Sequence, residues 1–149
     1  MLRFVGLIFL VGVAASPVQA QESPNPAKAT LYTRLGGYDG LARFVDTAFP
    51  RVARTPQLQK FFQGHSRDSQ MRQRQLIIDA LCRATGGPCA YLGRDLVTVH
   101  TGLGITDADW DVFIGVIEGT LRELDTPATP RTELLRVFER DLRRTVVVR

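Results

Sequence analysis

Cysteine and histidine are scarce in this chain of 149 residues, and their scarcity narrows the chemistry available to it. Two cysteines, Cys82 and Cys89, are too few for a disulfide-framework miniprotein. With only two histidines, His65 and His100, a zinc site of several Cys and His ligands cannot be assembled. The sequence also holds no nucleophile-elbow motif, no phosphate-cradling glycine loop and no helical His-Glu pair. Enzymes that rely on side chains alone are therefore disfavoured.

The overall composition is close to that of an average globular protein. Hydrophobic residues make up 44% of the chain, charged residues 23%, and 13 residues are glycine, which disfavours a disordered or collagen-like chain. This length allows about one domain. Lys and Arg number 19 against 15 Asp and Glu, a net charge of +4. The arginines between residues 136 and 149 are interspersed with Glu139 and Asp141, which predicts a solvated helix face and no nucleic-acid partner.

The first twenty residues have the pattern of a secretory signal. Arg3 precedes an uncharged apolar run over residues 4–15, and Val18 and Ala20 occupy the two positions that a signal peptidase reads. The alternative is an uncleaved membrane anchor, but the run is shorter than the roughly 20 apolar residues that span a bilayer. We therefore expect residues 1–20 to be removed.

The remainder of the chain divides into a short leader and one folded unit. Residues 21–29 contain Pro24 and Pro26 and no apolar periodicity, which is typical of a flexible leader. The folded unit is expected over residues 30–149. Cleavage would leave a periplasmic or secreted protein with no membrane span.

Apolar residues recur near the 3.6-residue helical period in four long segments. Thr106 and Asp109 resemble a capping box, Thr129 before Pro130 resembles a helix start, and Pro50 predicts a kink. The fold is therefore expected to be all-α, with helices over residues 38–54, 69–84, 106–124 and 130–146.

One short segment, residues 96–100, is rich enough in β-branched side chains to form a strand. A lone strand would have no partner in an all-α chain. We therefore expect a short helix there.

The two cysteines flank a Gly-Gly-Pro turn at residues 86–88. In an oxidising compartment they can close a short loop that contributes roughly 2–3 kcal/mol to stability. Two free thiols and a redox-active pair are the alternatives. The spacing favours a structural bridge between Cys82 and Cys89 over both.

A family resemblance is carried by motifs that follow one another along about residues 30–145. They are Leu31-Tyr32 with Leu35-Gly36-Gly37-Tyr38-Asp39-Gly40, Phe61-Phe62, Thr85-Gly86-Gly87-Pro88 with Tyr91 and Gly93-Arg94-Asp95, and His100-Thr101-Gly102-Leu103-Gly104-Ile105-Thr106. Together they resemble the group I truncated haemoglobins. The resemblance implies a globin-like, truncated two-on-two helical sandwich around haem b. It also implies that His100 is the proximal iron ligand, and that a loop and one short helix precede it.

The chemistry of iron agrees with this role for His100. Haem iron in globins takes an imidazole as its axial donor, and the chain offers only two. Without the motif, His100 would be interpreted as a lone surface or core histidine. His65 lies in a polar loop and is assigned no role, although such a loop can bring a histidine to the far side of the iron.

The distal side departs from the family pattern. The resemblance implies a tyrosine in the first long helix, but counting back from Phe61-Phe62 places Phe49 there. Aligning back from Gly86-Gly87 makes Gln73 the polar group over the iron, with about three extra residues after Phe62. If that insertion lies elsewhere, Gln70 or Met71 replaces Gln73, and an outward-facing helix position is the alternative for Gln73.

Nine further residues match positions of the pocket wall, with plain core packing as the alternative. They are Phe62, Ile77, Leu81, Tyr91, Leu96, Val99, Ile105, Trp110 and Phe113.

The resemblance thus implies an oxygen-binding globin whose partner is oxygen or another diatomic gas, and the signal pattern of residues 1–20 predicts a location in the cell envelope. Carriage or sensing needs only binding. Nitric oxide dioxygenation or peroxidase-like chemistry needs an acid–base group or an electron source such as a reductase, and neither is identified, so no catalytic residue is assigned. The competing class is a cofactor-free helical interaction module of the periplasm.

Overall fold

The computed structural model describes residues 29–147, and these residues form helices and loops without a β-strand. The predicted signal and most of the predicted leader lie outside them. No helix in this part of the chain is long and apolar enough to cross a membrane. The α-helices are α1 (Leu31–Arg34), α2 (Gly37–Arg54), α3 (Arg67–Ala84), α4 (Leu96–His100), α5 (Asp107–Glu123), α6 (Ala128–Val137) and α7 (Arg143–Val146).

All four long helices predicted from periodicity are present. Helix α2 continues through Pro50 to Arg54, so the proline does not interrupt it. Helix α3 begins two residues earlier than expected, because the Ser66 hydroxyl accepts a hydrogen bond from the Ser69 backbone N–H and caps its first turn.

The start predicted for the last helix is wrong. Helix α6 begins at Ala128, with Pro127 at the capping position and no side-chain cap, so Thr129 lies inside the first turn. Pro130 is tolerated there because the first N–H groups of a helix have no partner within it. A π-helical turn, Phe138–Leu142, separates α6 from α7.

The segment expected as a short helix before the turn at Gly102 is indeed α4. Asp95 caps it by accepting a hydrogen bond from the Thr98 backbone N–H at 3.0 Å. Because the β-branched residues of this segment have no strand to pair with, local capping decides their conformation.

The core forms where the described helices pack against one another. Helix α2 packs against both α3 and α5, α6 packs against α5, and α4 packs against α7. The most deeply buried large side chains are Leu41, Val45, Ile78, Trp110, Leu121 and Leu134.

A buried carboxylate connects the loop after α2 to the start of α5. Asp109 accepts hydrogen bonds from the backbone N–H of Thr106 at 3.0 Å, from the Thr106 hydroxyl at 2.8 Å and from Gln57 Nε2 at 3.0 Å. Lys60 Nζ lies 3.6 Å away. These donors, first of all the Thr106 backbone, lower the pKa of Asp109 to about 2. The predicted capping box is therefore confirmed, and it also anchors the turn that precedes Phe61.

The predicted bridge between Cys82 and Cys89 is formed, with their Cα atoms 5.8 Å apart. It connects the last turn of α3 to the irregular segment that leads to α4.

We predict that Asp109→Asn lowers the free energy of unfolding by about 2 kcal/mol at neutral pH, because the ionised carboxylate is favoured in the folded state. A folded-state pKa below the unfolded value gives stability that is present above about pH 4 and lost as the pH falls toward 2. Urea denaturation of both proteins at several pH values measures this difference. The difference should shrink toward pH 2, and Asp111→Asn, an exposed position of the same helix, is the control. A pH-independent difference would contradict the assignment.

Candidate cofactor pocket

A cavity of about 510 Å³ opens between α2, α3, α4 and α5. This volume lies within the range of sites for small molecules and cofactors. Every residue singled out from the sequence as a pocket residue lines it: Phe49, Phe62, Gln73, Ile77, Leu81, Tyr91, Leu96, Val99, His100, Ile105, Trp110 and Phe113.

His100 is oriented as a metal-binding histidine would be. It is the last residue of α4, it is half-buried, and its Nδ1 lies 2.7 Å from the carbonyl oxygen of Leu96, one turn earlier. A carbonyl only accepts, so Nδ1 carries the proton and Nε2 is left with its lone pair. No described group hydrogen-bonds to Nε2. A metal-ligating histidine has this arrangement, with one ring nitrogen held by a backbone carbonyl.

Gln73 supplies an unpartnered polar atom to the cavity. Its Oε1 is buried and has no hydrogen-bond partner among residues 29–147. Such an atom costs about 1–3 kcal/mol if it stays unpaired, which points to a partner that binds in the cavity. Rotation of the amide by a half turn would present the Nε2–H donor at the same place.

The two alternatives for the distal residue do not line the cavity. Gln70 donates a hydrogen bond from Nε2 to the His65 carbonyl at 3.2 Å, and Met71 is 55% exposed. Of the three candidates, only Gln73 faces the cavity.

Aromatic rings form the wall beside Gln73. Phe49 and Phe62 meet edge to face with their ring centroids 5.3 Å apart. Phe49 is an apolar residue at the position where the resemblance implied a phenol. The ring of His65 lies 6.5 Å from that of Phe62, and His65 also lines the cavity, although the sequence assigned it no role.

The Tyr91 phenol closes another part of the wall. Its hydroxyl donates to the Arg94 carbonyl at 2.8 Å, and burial raises its pKa. Gly93 packs against this ring so closely that an added Cβ would lie 2.4 Å from it. The turn over residues 91–94 therefore requires a glycine.

Sequence reasoning missed the part of the wall that comes from the C-terminal helices: Phe138, Leu142 and Val146. All three residues lie within the last predicted helix, residues 130–146. Nothing in the pattern showed that this part of the core faces a cavity.

Arg72 and Arg94 were also missed as pocket residues. They line the cavity from α3 and from the loop before α4, they are exposed, and no described carboxylate pairs with either. Guanidinium groups bind carboxylates well, so these arginines fit the two propionates of haem b. Arg94 belongs to the Gly93-Arg94-Asp95 motif of the family resemblance, but neither that motif nor the net charge indicated that the two arginines meet at one cavity.

Taken together, these residues fit a haem. One imidazole nitrogen is free to bind iron, one buried amide lacks a partner within the described chain, the walls are apolar and aromatic, and two cations lie at the cavity. A pocket of this kind, enclosed by helices and offering a histidine as the iron ligand, is the arrangement found in the globin class of proteins.

Comparison with known proteins gives the family. The model of the bacterial-like globins matches residues 30–147, and the chain belongs to that family. Among curated proteins, it is 30% identical over 107 residues to a group 1 truncated haemoglobin from Mycolicibacterium paratuberculosis, covering 72% of this chain and 76% of that protein. It is 27% identical over 110 residues to the group 1 truncated haemoglobin of Tetrahymena pyriformis, covering 74% and 88%.

Solved structures agree with this assignment. The chain matches the Fe(III) form of the truncated haemoglobin from Tetrahymena pyriformis with a TM-score of 0.71 and 25% identity, over 80% of this chain and 98% of that one. It matches a Synechococcus 2/2 haemoglobin with covalently attached haem with a TM-score of 0.73 and 25% identity, over 81% and 100%. The predicted group I truncated globin fold and haem cofactor are confirmed, and they replace the alternative of a cofactor-free module.

We predict that His100→Ala abolishes stable haem binding, because it removes the donor with a free Nε2 at the end of α4. The measurement is the Soret band after haem reconstitution and gel filtration, with added imidazole expected to restore part of it. His65→Ala, which removes the other histidine of the same cavity, should keep a normal Soret band. Equal haem retention in both variants would contradict the role of His100.

Proposed function

We propose that this globin is an oxygen-binding protein of the cell envelope that carries or senses oxygen. The choice of oxygen among diatomic gases rests on one observation, the buried side-chain oxygen of Gln73, which has no partner in the described chain and lies in a mostly apolar cavity. A half turn of the amide puts its N–H donor at the same place. When bound, haem supplies an iron coordination position that a diatomic gas can occupy.

The roles of the protein groups follow from their contacts. His100 holds the iron through Nε2, and its Nδ1–H bond to Leu96 keeps the ring from rotating. With its amide turned by half a rotation, Gln73 would present an N–H donor to a gas ligand. Such a donor would favour oxygen, which is the more polar ligand, over carbon monoxide by about 1–3 kcal/mol.

Phe49 limits the chemistry of the distal side. Phenylalanine has no hydroxyl, so Phe49 and Phe62 only exclude water from that wall, and we assign the donor role to Gln73. Nitric oxide dioxygenation or peroxidase-like turnover would require a reductase or a proton-donating group in addition. Binding alone is sufficient for oxygen carriage or sensing, and this is the role that we favour.

Two features support a place in the cell envelope, periplasmic or secreted. Residues 1–20 have the pattern of a cleaved secretory signal. The Cys82–Cys89 bond is of the kind that persists in oxidising compartments.

We predict that Gln73→Leu raises the oxygen dissociation rate by about ten- to a hundredfold, the equivalent of one lost hydrogen bond to a partly charged ligand. Flash photolysis or stopped-flow mixing of the ferrous protein measures this rate. Gln70→Leu, three residues away on α3 and outside the cavity, is the matched control and should behave like the unaltered protein.

The same measurement tests the distal position of Phe49. Phe49→Tyr should slow oxygen dissociation, because the added hydroxyl supplies a second donor. An oxygen dissociation rate that is unchanged in Gln73→Leu would defeat the proposal that Gln73 selects oxygen.

We predict that the full-length chain, expressed in a Gram-negative bacterium, is recovered from the periplasmic fraction with Gln21 as its first residue. Intact-mass measurement identifies the cleavage site. A version that begins at Gln21 should stay in the cytoplasm. Recovery of the uncleaved chain from the cytoplasm would argue against export.

A further inference from the structure

The loop between α3 and α4, residues 88–95, is weakly held although it forms part of the pocket. Tyr91, Gly93 and Arg94 line the cavity. In the described part of the chain, no hydrogen bond or ion pair joins this loop to any element other than α4, which follows it. Leu92 at its middle is 85% exposed. Hydrogen bonds and ion pairs with α3 therefore do not fix it.

The disulfide supplies the missing attachment. Cys82 is completely buried in the last turn of α3, and Cys89 is half-buried at the start of the loop. The Cys82 sulfur packs against the turn that follows α3 so tightly that a Cβ on Gly87 would lie 2.6 Å from it. One end of the bond is thus fixed in the core, and the other holds the loop.

The bond also connects two sides of the cofactor pocket. Helix α3 carries Gln73 on one side, whereas the loop carries Tyr91 and leads into α4, which carries His100. Helix α4 itself is five residues long and packs mainly against α7. Its position depends on how the loop before it is held.

We propose that the Cys82–Cys89 disulfide is a redox-controlled clasp of the haem pocket, and that its reduction by a dithiol releases the loop and accelerates haem loss. The proposal rests on haem occupying this cavity, as in the proposed function. In the oxidised state the bond ties the loop to α3, the tied loop and α7 keep α4 in place, and haem is retained. In the reduced state the loop separates from α3, and α4 with His100 loses its fixed position.

The exchange reaction is balanced by the dithiol. Its thiolate attacks the Sγ of Cys89, the more accessible sulfur, forming a mixed disulfide and expelling the Cys82 sulfur as a thiolate that takes up a proton. The second thiol of the dithiol then attacks the mixed disulfide and releases Cys89. Two electrons and two protons pass to the protein, and the dithiol becomes a cyclic disulfide.

Haem transfer from the loaded protein to excess apomyoglobin tests the clasp. We expect haem loss about tenfold faster after dithiothreitol treatment than before it, with the slow rate restored on reoxidation. Cys89→Ala leaves Cys82 in its core position. This variant should lose haem fast from the start and show no response to dithiothreitol, which controls for effects of the reagent on haem itself.

Hydrogen exchange gives a readout that does not depend on gas binding. Three backbone amides report on α4, those of Thr98, Val99 and Thr101. They donate to the Asp95 side chain, the Asp95 carbonyl and the Val97 carbonyl, respectively. We expect them to exchange faster in the reduced, haem-loaded protein. Amides in the middle of α5 should not change. This pattern would show that reduction acts on the loop and α4 and does not unfold the protein.

The outcomes separate this proposal from the one on which it rests. Failure of the oxidised protein to take up haem would overturn the proposed function. Normal uptake with equal haem loss in the oxidised and reduced proteins would overturn the clasp alone. A response of Cys89→Ala to dithiothreitol as large as that of the unaltered protein would also overturn it.

Discussion

A cavity of about 510 Å³ limits how closely the described helices can pack against one another. Residues that would fill the core of an ordinary small domain face this space instead, so part of the apolar surface is buried only when a cofactor is bound. Ion pairs and hydrogen bonds between side chains help to hold the described helices together. Arg34 pairs with Glu133, Arg74 pairs with Asp46, and the Asp109 network ties the turn before Phe61 to α5.

The proposed binding of haem and a gas depends on the polar groups that face this mostly apolar cavity. A mostly apolar cavity strengthens each remaining electrostatic contact, because little water competes with it. Two such groups can contact a cofactor or its ligand. His100 has one ring nitrogen bonded to a backbone carbonyl and the other available, and the buried side-chain oxygen of Gln73 has no partner in the described chain. Because Phe49 stands where the family resemblance implies a phenol, our proposal assigns gas selection to the amide of Gln73.

The disulfide combines a structural and a regulatory role in one short segment. A short covalent loop constrains the unfolded chain and also holds the segment that leads to the proximal helix. In an envelope protein, the redox poise of the compartment would then act directly on cofactor retention. The partial exposure of Cys89 and the burial of Cys82 decide which sulfur a reductant meets first.

The sequence alone predicted the four long helical segments and the capping of α5 by Thr106 and Asp109, and its ordered motifs pointed to His100 as the proximal ligand, because periodicity, caps and motifs act over a few residues. It also pointed to the Cys82–Cys89 bond, since only seven positions separate the two cysteines. Only the tertiary structure chose Gln73 over Gln70, brought Arg72 and Arg94 to one cavity and added Phe138 to its wall. These choices depend on how distant helices are rotated against one another, and no local pattern encodes that rotation.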